Sequence, residues 1–293
     1  MLFARTPSLD IAYEATGLEG GTPVVLLHGF PDDARAYDGC VGALASAGCR
    51  VLVPYLRGYG ATRFRDAATP RSGQQAALGA DLRDFLDALG IRKAILGGYD
   101  WGGRAACVVS ALWPERVLGL VSINGYNIQD IAASLHPASA EQEMRHWYQW
   151  YFNTERGRIG LAENRHEICR LLWKLWSPNW QFSEAKYAAT AVSFDNPDFV
   201  YVVVQSYRHR HMNAPGDPAL EPIETLLAAQ PAIAVPTIVL HGEADGVGPV
   251  AGSANAHRHF TGQYQRRTIP IAGHFLPHEA PDAVVRAVLD LLG

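Results

Sequence analysis

Asp100, Asp245 and His274 are the residues of this chain whose types and positions together could do chemistry. Asp100 is the middle of Gly98-Tyr99-Asp100-Trp101-Gly102, a Gly-x-Asp-x-Gly pattern directly after a predicted strand and before a predicted helix, Arg104 to Leu112. A nucleophile on such an elbow sits on strained backbone, and small neighbours let the turn close so that the side chain projects from the top of a sheet. A carboxylate, with a reference pKa of about 3.9, is already an anion at neutral pH and attacks without first losing a proton. Asp245, in His241-Gly242-Glu243-Ala244-Asp245, and His274, in Gly273-His274-Phe275, follow the last two predicted strands. An imidazole held by a second carboxylate is a base with a fixed tautomer. Each of the three alone reads as a strand terminus or turn former. All three at carboxyl ends of strands, where open α/β sheets place their sites, read as one constellation. Glu243 is the nearby rival to Asp245 for the acid role.

The elements that must position these groups are legible as a pattern. Through the first 126 residues short β-rich runs alternate with helical ones, the signature of βαβ units and a mostly parallel sheet. Pro23–Leu27, Val51–Val53, Ala94–Tyr99 and Leu118–Ile123 are continuous apolar runs, as strands covered on both faces should be. Leu78, Leu82, Phe85 and Leu89 predict a helix over Ala76–Leu89, closed by Gly90. The alternation resumes with Pro236–Leu240 and Arg267–Ile271 and ends in an amphipathic helix, Pro281–Leu292. In between, strand signals disappear, and five of the 7 tryptophans fall between Trp147 and Trp180. The reading is a core of residues 1–126 and 228–293 interrupted by a helical cap, 127–227. The first cap helix is expected to carry Met144, Tyr148 and Tyr151 on one face. The last is expected to begin with Asn196 as cap and Pro197 in the first turn, and to carry Val200, Val203, Val204 and Tyr207. The β-branched run leaves a strand there as the alternative, and Ala214–Pro222 reads as a loop.

The elbow, taken with His28-Gly29-Phe30-Pro31 after an earlier strand, resembles the α/β-hydrolase family over nearly the whole chain. Aspartate rather than serine at the elbow resembles the branch that contains epoxide hydrolases and haloalkane or haloacetate dehalogenases. The resemblance implies an α/β fold with a mostly parallel central sheet, helices on both faces and an inserted helical cap. It implies that Asp100 displaces a leaving group at a saturated carbon and is left as an alkyl ester. His274 then deprotonates the water that hydrolyses the ester, and Asp245 holds the imidazole and stabilises its charged form. The backbone N–H groups of Phe30 and Trp101 would receive the oxyanion. His28, Trp101, Trp150 and Phe275 are the expected substrate contacts. Asn124 stands where some dehalogenases keep the acid; an amide cannot carry that charge, which favours Asp245.

The leaving group separates the readings. An epoxide opens to an alkoxide that needs a proton donor, whereas a halide needs only a dry cradle of N–H groups. Tyr148-Gln149-Trp150-Tyr151-Phe152 and Ser206-Tyr207-Arg208 resemble the stretches in which epoxide hydrolases of this family carry their two donor tyrosines, which maps the role onto Tyr148 and Tyr207. For a halide, the indole of Trp101 and one from Trp150 or Trp176 would serve. Haloacetate dehalogenases carry an arginine where Trp101 stands and a histidine where Gln149 stands. Arg104 matches their second carboxylate-binding arginine, but a substrate carboxylate would lack its usual partner. Epoxide opening to a diol is the leading expectation and dehalogenation the alternative. A ligand receptor on the same fold is a third reading, marked by a broken triad, which is not found here.

Composition narrows the rest. At 293 residues and 48% hydrophobic content the chain can bury a large core. No apolar run approaches the roughly 20 residues of a membrane span, and Met1–Asp10 lacks the pattern of a signal peptide, so the expected location is cytoplasmic. A net charge of -4 without a Lys/Arg block offers no footprint for nucleic acid or an anionic membrane. The expected partners are a small electrophile and water, with no cofactor; a homodimer is left open. Cys40, Cys49, Cys107 and Cys169 lie far apart without CxxC spacing and are expected as free thiols. Arg57-Gly58-Tyr59-Gly60 reads as a turn. The His-Arg-His triplets, His209–His211 and His257–His259, read as solvated surface rather than metal ligands, since i, i+2 imidazoles on a helix point apart.

Overall fold

The computed structural model describes all 293 residues. Nine strands form one sheet: β1 (Leu2–Arg5), β2 (Leu9–Thr16), β3 (Thr22–Leu27), β4 (Cys49–Pro54), β5 (Arg63–Phe64), β6 (Ala94–Gly98), β7 (Val117–Ile123), β8 (Thr237–Gly242) and β9 (Tyr264–Ile269). The main path runs β1-β2-β4-β3-β6-β7-β8-β9, with β5 paired to β2. Pairing is parallel from β4 to β9 along that path and antiparallel among β1, β2, β4 and β5. The apolar runs are the central strands: Val24–Leu27 and Ile95–Leu96 are buried at 1% exposure or less, so both faces are covered.

Eleven helices accompany them: α1 (Asp38–Ser46), α2 (Gln75–Ala88), α3 (Asp100–Leu112), α4 (Ala140–Arg145), α5 (Trp147–Asn153), α6 (Glu155–Trp176), α7 (Glu184–Ala191), α8 (Phe199–Arg210), α9 (Glu221–Ala228), α10 (Leu276–Glu279) and α11 (Pro281–Asp290). α1 packs with α10 and α11, and α2 with α3, as two separate helical groups against the sheet. Between β7 and β8 there is no strand, and α5, α6 and α8 pack against one another. All four cysteines are free and buried.

Several expectations are corrected. β1 and β2 were not anticipated; they form the antiparallel edge, where alternation is broken and pairing depends on partners distant in sequence. β9 begins at Tyr264, earlier than expected, because this half-exposed edge strand is mostly polar, and Ile271 lies outside it, 73% exposed with a φ of 69°. α3 starts at Asp100, not Arg104. The expected single helix over Met144, Tyr148 and Tyr151 is broken at His146, and Met144 is 68% exposed. The N-cap of α8 is Asp198; Asn196 builds the preceding turn, accepting the Asp198 N–H at 2.8 Å and donating to Thr62 O at 2.8 Å, so Pro197 precedes the helix. The β-branched run is helical, its residues Val202–Val204 buried. The loop Ala214–Pro222 contains a short 3-10 turn, Pro218–Leu220, and the start of α9. α9 packs on α2, where buried Glu224 accepts the Ala76 N–H at 3.0 Å, so the stretch 221–227 sits against a helix of the sheet layer.

Candidate active site

The β6–α3 elbow is built by close backbone approach. A Cβ at Gly98 would lie 2.5 Å from Gly102 C, and one at Gly102 2.2 Å from Leu27 O, so larger residues would push the turn apart. Asp100 between them has φ +50°, a left-handed conformation costing a non-glycine residue about 1 kcal/mol or more. Its side chain is 10% exposed. Oδ1 accepts the Phe30 N–H at 2.8 Å, and Oδ2 is left facing Arg104 Nη2 at 3.7 Å, inside ion-pair range but beyond a hydrogen bond. The Trp101 N–H, in the open first turn of α3, has no backbone acceptor.

Asp245 follows β8 and faces the loop after β9. Its carboxylate receives His274 Nδ1 at 3.0 and 3.2 Å, the N–H groups of Val247 and Gly248 at 2.7 and 3.2 Å, and Asn124 Nδ2 at 2.5 Å. Burial alone would raise its pKa, but the His274 and His241 rings outweigh that and hold it well below the usual carboxylate range. An unpaired buried carboxylate costs several kcal/mol, and this set of donors removes that cost. His274 is 3% exposed. Burial alone would lower its pKa, but the Asp245 charge and hydrogen bond, with Asp100 further off, raise it above 6.5. Its Nε2 is buried with no protein partner, as a nitrogen meant for water should be. The carbonyl of Trp176, at the end of α6, accepts the N–H groups of Gly246 and His274 at 2.9 and 3.1 Å, tying both loops to one helix end.

Tyr148 on α5 and Tyr207 on α8 come together, ring centroids 5.4 Å apart and planes at 88°, with Phe30 against both. The Tyr148 hydroxyl accepts the Gln149 amide N–H at 3.0 Å, so its own proton is free to point elsewhere. Burial and the nearby Asp100 push Tyr148 up to about 12 and Tyr207 well above 10, keeping both protonated. The indole N–H groups of Trp101 and Trp176 are buried without acceptors. Two clefts flank the site. One of about 390 Å³ is lined by Arg104, Gln149, Trp150, Arg210 and His211, and one of about 700 Å³ by Trp147, Trp176, Glu243 and Asp245.

The structure thus brings together Asp100, Asp245, His274, Phe30, Trp101, Tyr148 and Tyr207. Other expected contacts are placed differently. Both ring nitrogens of His28 are engaged by backbone, Nδ1 with Gly29 O at 3.0 Å and Nε2 with the Leu56 N–H at 3.1 Å, and burial pulls its pKa to about 4. It braces the loop and has no atom left for a ligand. Phe275 packs behind His274 among Trp173, Trp176 and Trp180. Trp150 lines the smaller cleft, but its N–H is taken by Glu143 Oε2 at 2.8 Å, and its ring lies on His211. Glu243 is exposed and accepts from the Thr268 hydroxyl at 2.8 Å, so it does not share the Asp245 position. The triplet His209–His211 is not solvated surface: Arg210 and His211 line the smaller cleft. Asn124 donates to the acid rather than replacing it. Its signal was present, since it directly follows β7, which pairs with β8, and φ +77° marks a position that favours asparagine among non-glycine residues.

Comparison with known proteins agrees with this architecture. A family model for the alpha/beta hydrolase fold matches residues 22–281, and the chain belongs to that family. It is a hydrolase. A candidate epoxide hydrolase from Klebsiella pneumoniae is 45% identical over 99% of this chain and 96% of its own, with a TM-score of 0.96. Human epoxide hydrolase 4 is 27% identical over 98% of this chain and 77% of its own length. A haloalkane dehalogenase variant from Bradyrhizobium elkanii, 22% identical over 99% of this chain and 96% of its own with a TM-score of 0.79, shares the fold. No helix is long and apolar enough to cross a membrane.

Proposed function

We propose that this hydrolase opens a small epoxide with a mostly apolar body to a diol through a covalent ester on Asp100. The observation that carries the reading is the pair Tyr148 and Tyr207, kept protonated and packed over the elbow from two different helices. Helices α4 to α8 act as the cap. Asp100 Oδ1 is held by the Phe30 N–H, so Oδ2 is the attacking oxygen. Its lone pair forms the new O–C bond as the epoxide C–O bond breaks, and a tyrosine O–H protonates the alkoxide. Water at the free Nε2 of His274 gives up a proton and attacks the ester carbonyl. The oxyanion forms on Oδ1, which already accepts the Phe30 N–H, with the unpaired Trp101 N–H as the second donor. Collapse releases the diol with Oδ2 in it as the His274 imidazolium protonates the departing oxygen, and the proton left on the new Asp100 carboxyl group returns to the tyrosinate. Asp245 stabilises the imidazolium between the two proton transfers.

Dehalogenation is the second reading, favoured by the two indole N–H groups of Trp101 and Trp176, buried without acceptors as a halide cradle would be. One comparison separates the two. Tyr148→Phe with Tyr207→Phe should lower epoxide opening by at least about 1,000-fold, as loss of general acid catalysis does, while leaving any chloride or bromide release from a haloalkane within a few-fold. Epoxide turnover that survives the double change refutes the tyrosine assignment.

A further inference from the structure

Two arginines line the smaller cleft, one of them facing Asp100, and neither completes its hydrogen bonding within the protein. Arg104, one turn along α3 from Asp100, has a side chain 9% exposed, and its charged partner is Asp100 Oδ2 at 3.7 Å, too long for a hydrogen bond. Arg210 ends α8 and reaches the same cleft from the opposite side. Its Nε and Nη1 donate to the Gln129 amide oxygen at 3.2 and 3.1 Å, a neutral acceptor, and no carboxylate pairs with it. Burial and the Arg104 charge both pull Arg210 below its ordinary pKa.

The other titratable groups of the cleft do not pair with either guanidinium: the carboxylates Glu143 and Asp130 also line it but are turned to other donors. Glu143 accepts the Trp150 indole N–H at 2.8 Å and the Ala138 N–H at 2.7 Å, and Asp130 accepts the Ala133 N–H at 3.0 Å. Burial and Arg210 bring His146 and His211 down to about 4, so both are neutral. While Asp100 is ionised, it offsets one guanidinium. Once it is esterified that charge is gone, and two guanidiniums of largely shielded position would share one cleft with no carboxylate within ion-pair distance of either, an arrangement that poorly solvated surroundings penalise.

We propose that Arg104 and Arg210 form an anion subsite, and that the electrophile attacked by Asp100 carries a carboxylate a few bonds from its reacting carbon. This rests on the epoxide reading and names its substrate class as short epoxy acids. One cation comes from the sheet layer, on α3, and the other from α8. A planar carboxylate matches the guanidinium fork. The group is a spectator: the bonds that form and break are those of the ester mechanism, and the carboxylate leaves with the diol.

The test uses the full-length enzyme with oxirane-2-carboxylate and its neutral analogue oxirane-2-carboxamide, and with propanoate as an unreactive inhibitor. The wild type should favour the acid over the amide by roughly 100-fold in kcat/KM, the range of hydrogen bonds to charged groups. Arg210→Met and Arg210→Gln should collapse that ratio, chiefly through KM, and abolish inhibition by propanoate, while Arg210→Lys restores part of both. Equal use of acid and amide by the wild type overturns the subsite and leaves the epoxide reading standing. Inhibition by propanoate that depends on Arg210, with neither epoxide opened, does the reverse. If the Met and Gln variants do not fold, the wild-type ratio and propanoate inhibition still decide.

Discussion

On the sheet side of the site the carboxylates are well partnered. The carboxylate of Asp245 is surrounded by donors from β7, from its own loop and from His274, and Asp100 Oδ1 rests on the Phe30 N–H. Among the atoms left open there, with the Trp101 indole N–H and Asn124 Oδ1, is His274 Nε2, the one the proposed mechanism turns to water. Towards the cap the pattern reverses: the Trp176 indole N–H has no acceptor, and Arg210 has a single neutral one. The difference is one of purpose. Sheet-borne groups are preorganised by backbone fixed before any ligand arrives, whereas on the proposed reading the open donors around the cap would be completed by the substrate.

Three perturbations sharpen that contrast. The largest effect is expected from His274→Gln, which should lower steady-state turnover by about 10⁵-fold or more, as loss of a triad member does. About one equivalent of substrate should then remain attached to Asp100, visible by intact-mass spectrometry; normal turnover would remove His274 from the mechanism. Asp245→Asn should cost about 10³- to 10⁴-fold, through the wrong tautomer and an unstabilised imidazolium. The same variant tests the pH dependence. His274 must be neutral to accept a proton, and its folded pKa is raised by Asp245 above 6.5. Wild-type ester hydrolysis should therefore fall as pH drops through a midpoint above 6.5, and in Asp245→Asn that midpoint should move to lower pH. An unmoved midpoint would mean that another group sets it. The smallest effect is expected from Asn124→Ala, which removes one donor to Asp245 and should slow ester hydrolysis by about tenfold, the worth of one hydrogen bond to a charged group; stopped-flow measurement of ester decay would show it.

How far this was legible follows the same division. Asp100 and Asp245 were readable because each follows a strand whose apolar run is visible, and His274 because Gly273-His274-Phe275 follows the last strand; their chain order matches the proposed roles. The edge strands β1 and β9 were missed or misplaced because a half-exposed strand carries no continuous apolar run, and β2, though mostly buried, was missed because polar residues interrupt its run. Tyr148 and Tyr207 came from resemblance; their meeting depends on how α5 and α8 pack, which spacing within one helix does not encode. Arg210 was hidden inside a His-Arg-His triplet that reads as a solvated face. Its burial is set by the loop carrying Gln129, some 80 residues away in sequence. His28 and Phe275 were adjacent to the machinery in sequence and were assigned to ligand contact for that reason, yet the fold uses both as bracing.

The central claim is that Asp100 forms the bond to the substrate. It is tested by one turnover of enzyme in excess over epoxide in ¹⁸O-water, followed by mass analysis of the diol and of the peptide bearing Asp100. The account predicts an unlabelled oxygen in the first-turnover diol and the label in the Asp100 carboxylate. Label delivered straight to the diol, with Asp100 unlabelled, would contradict it.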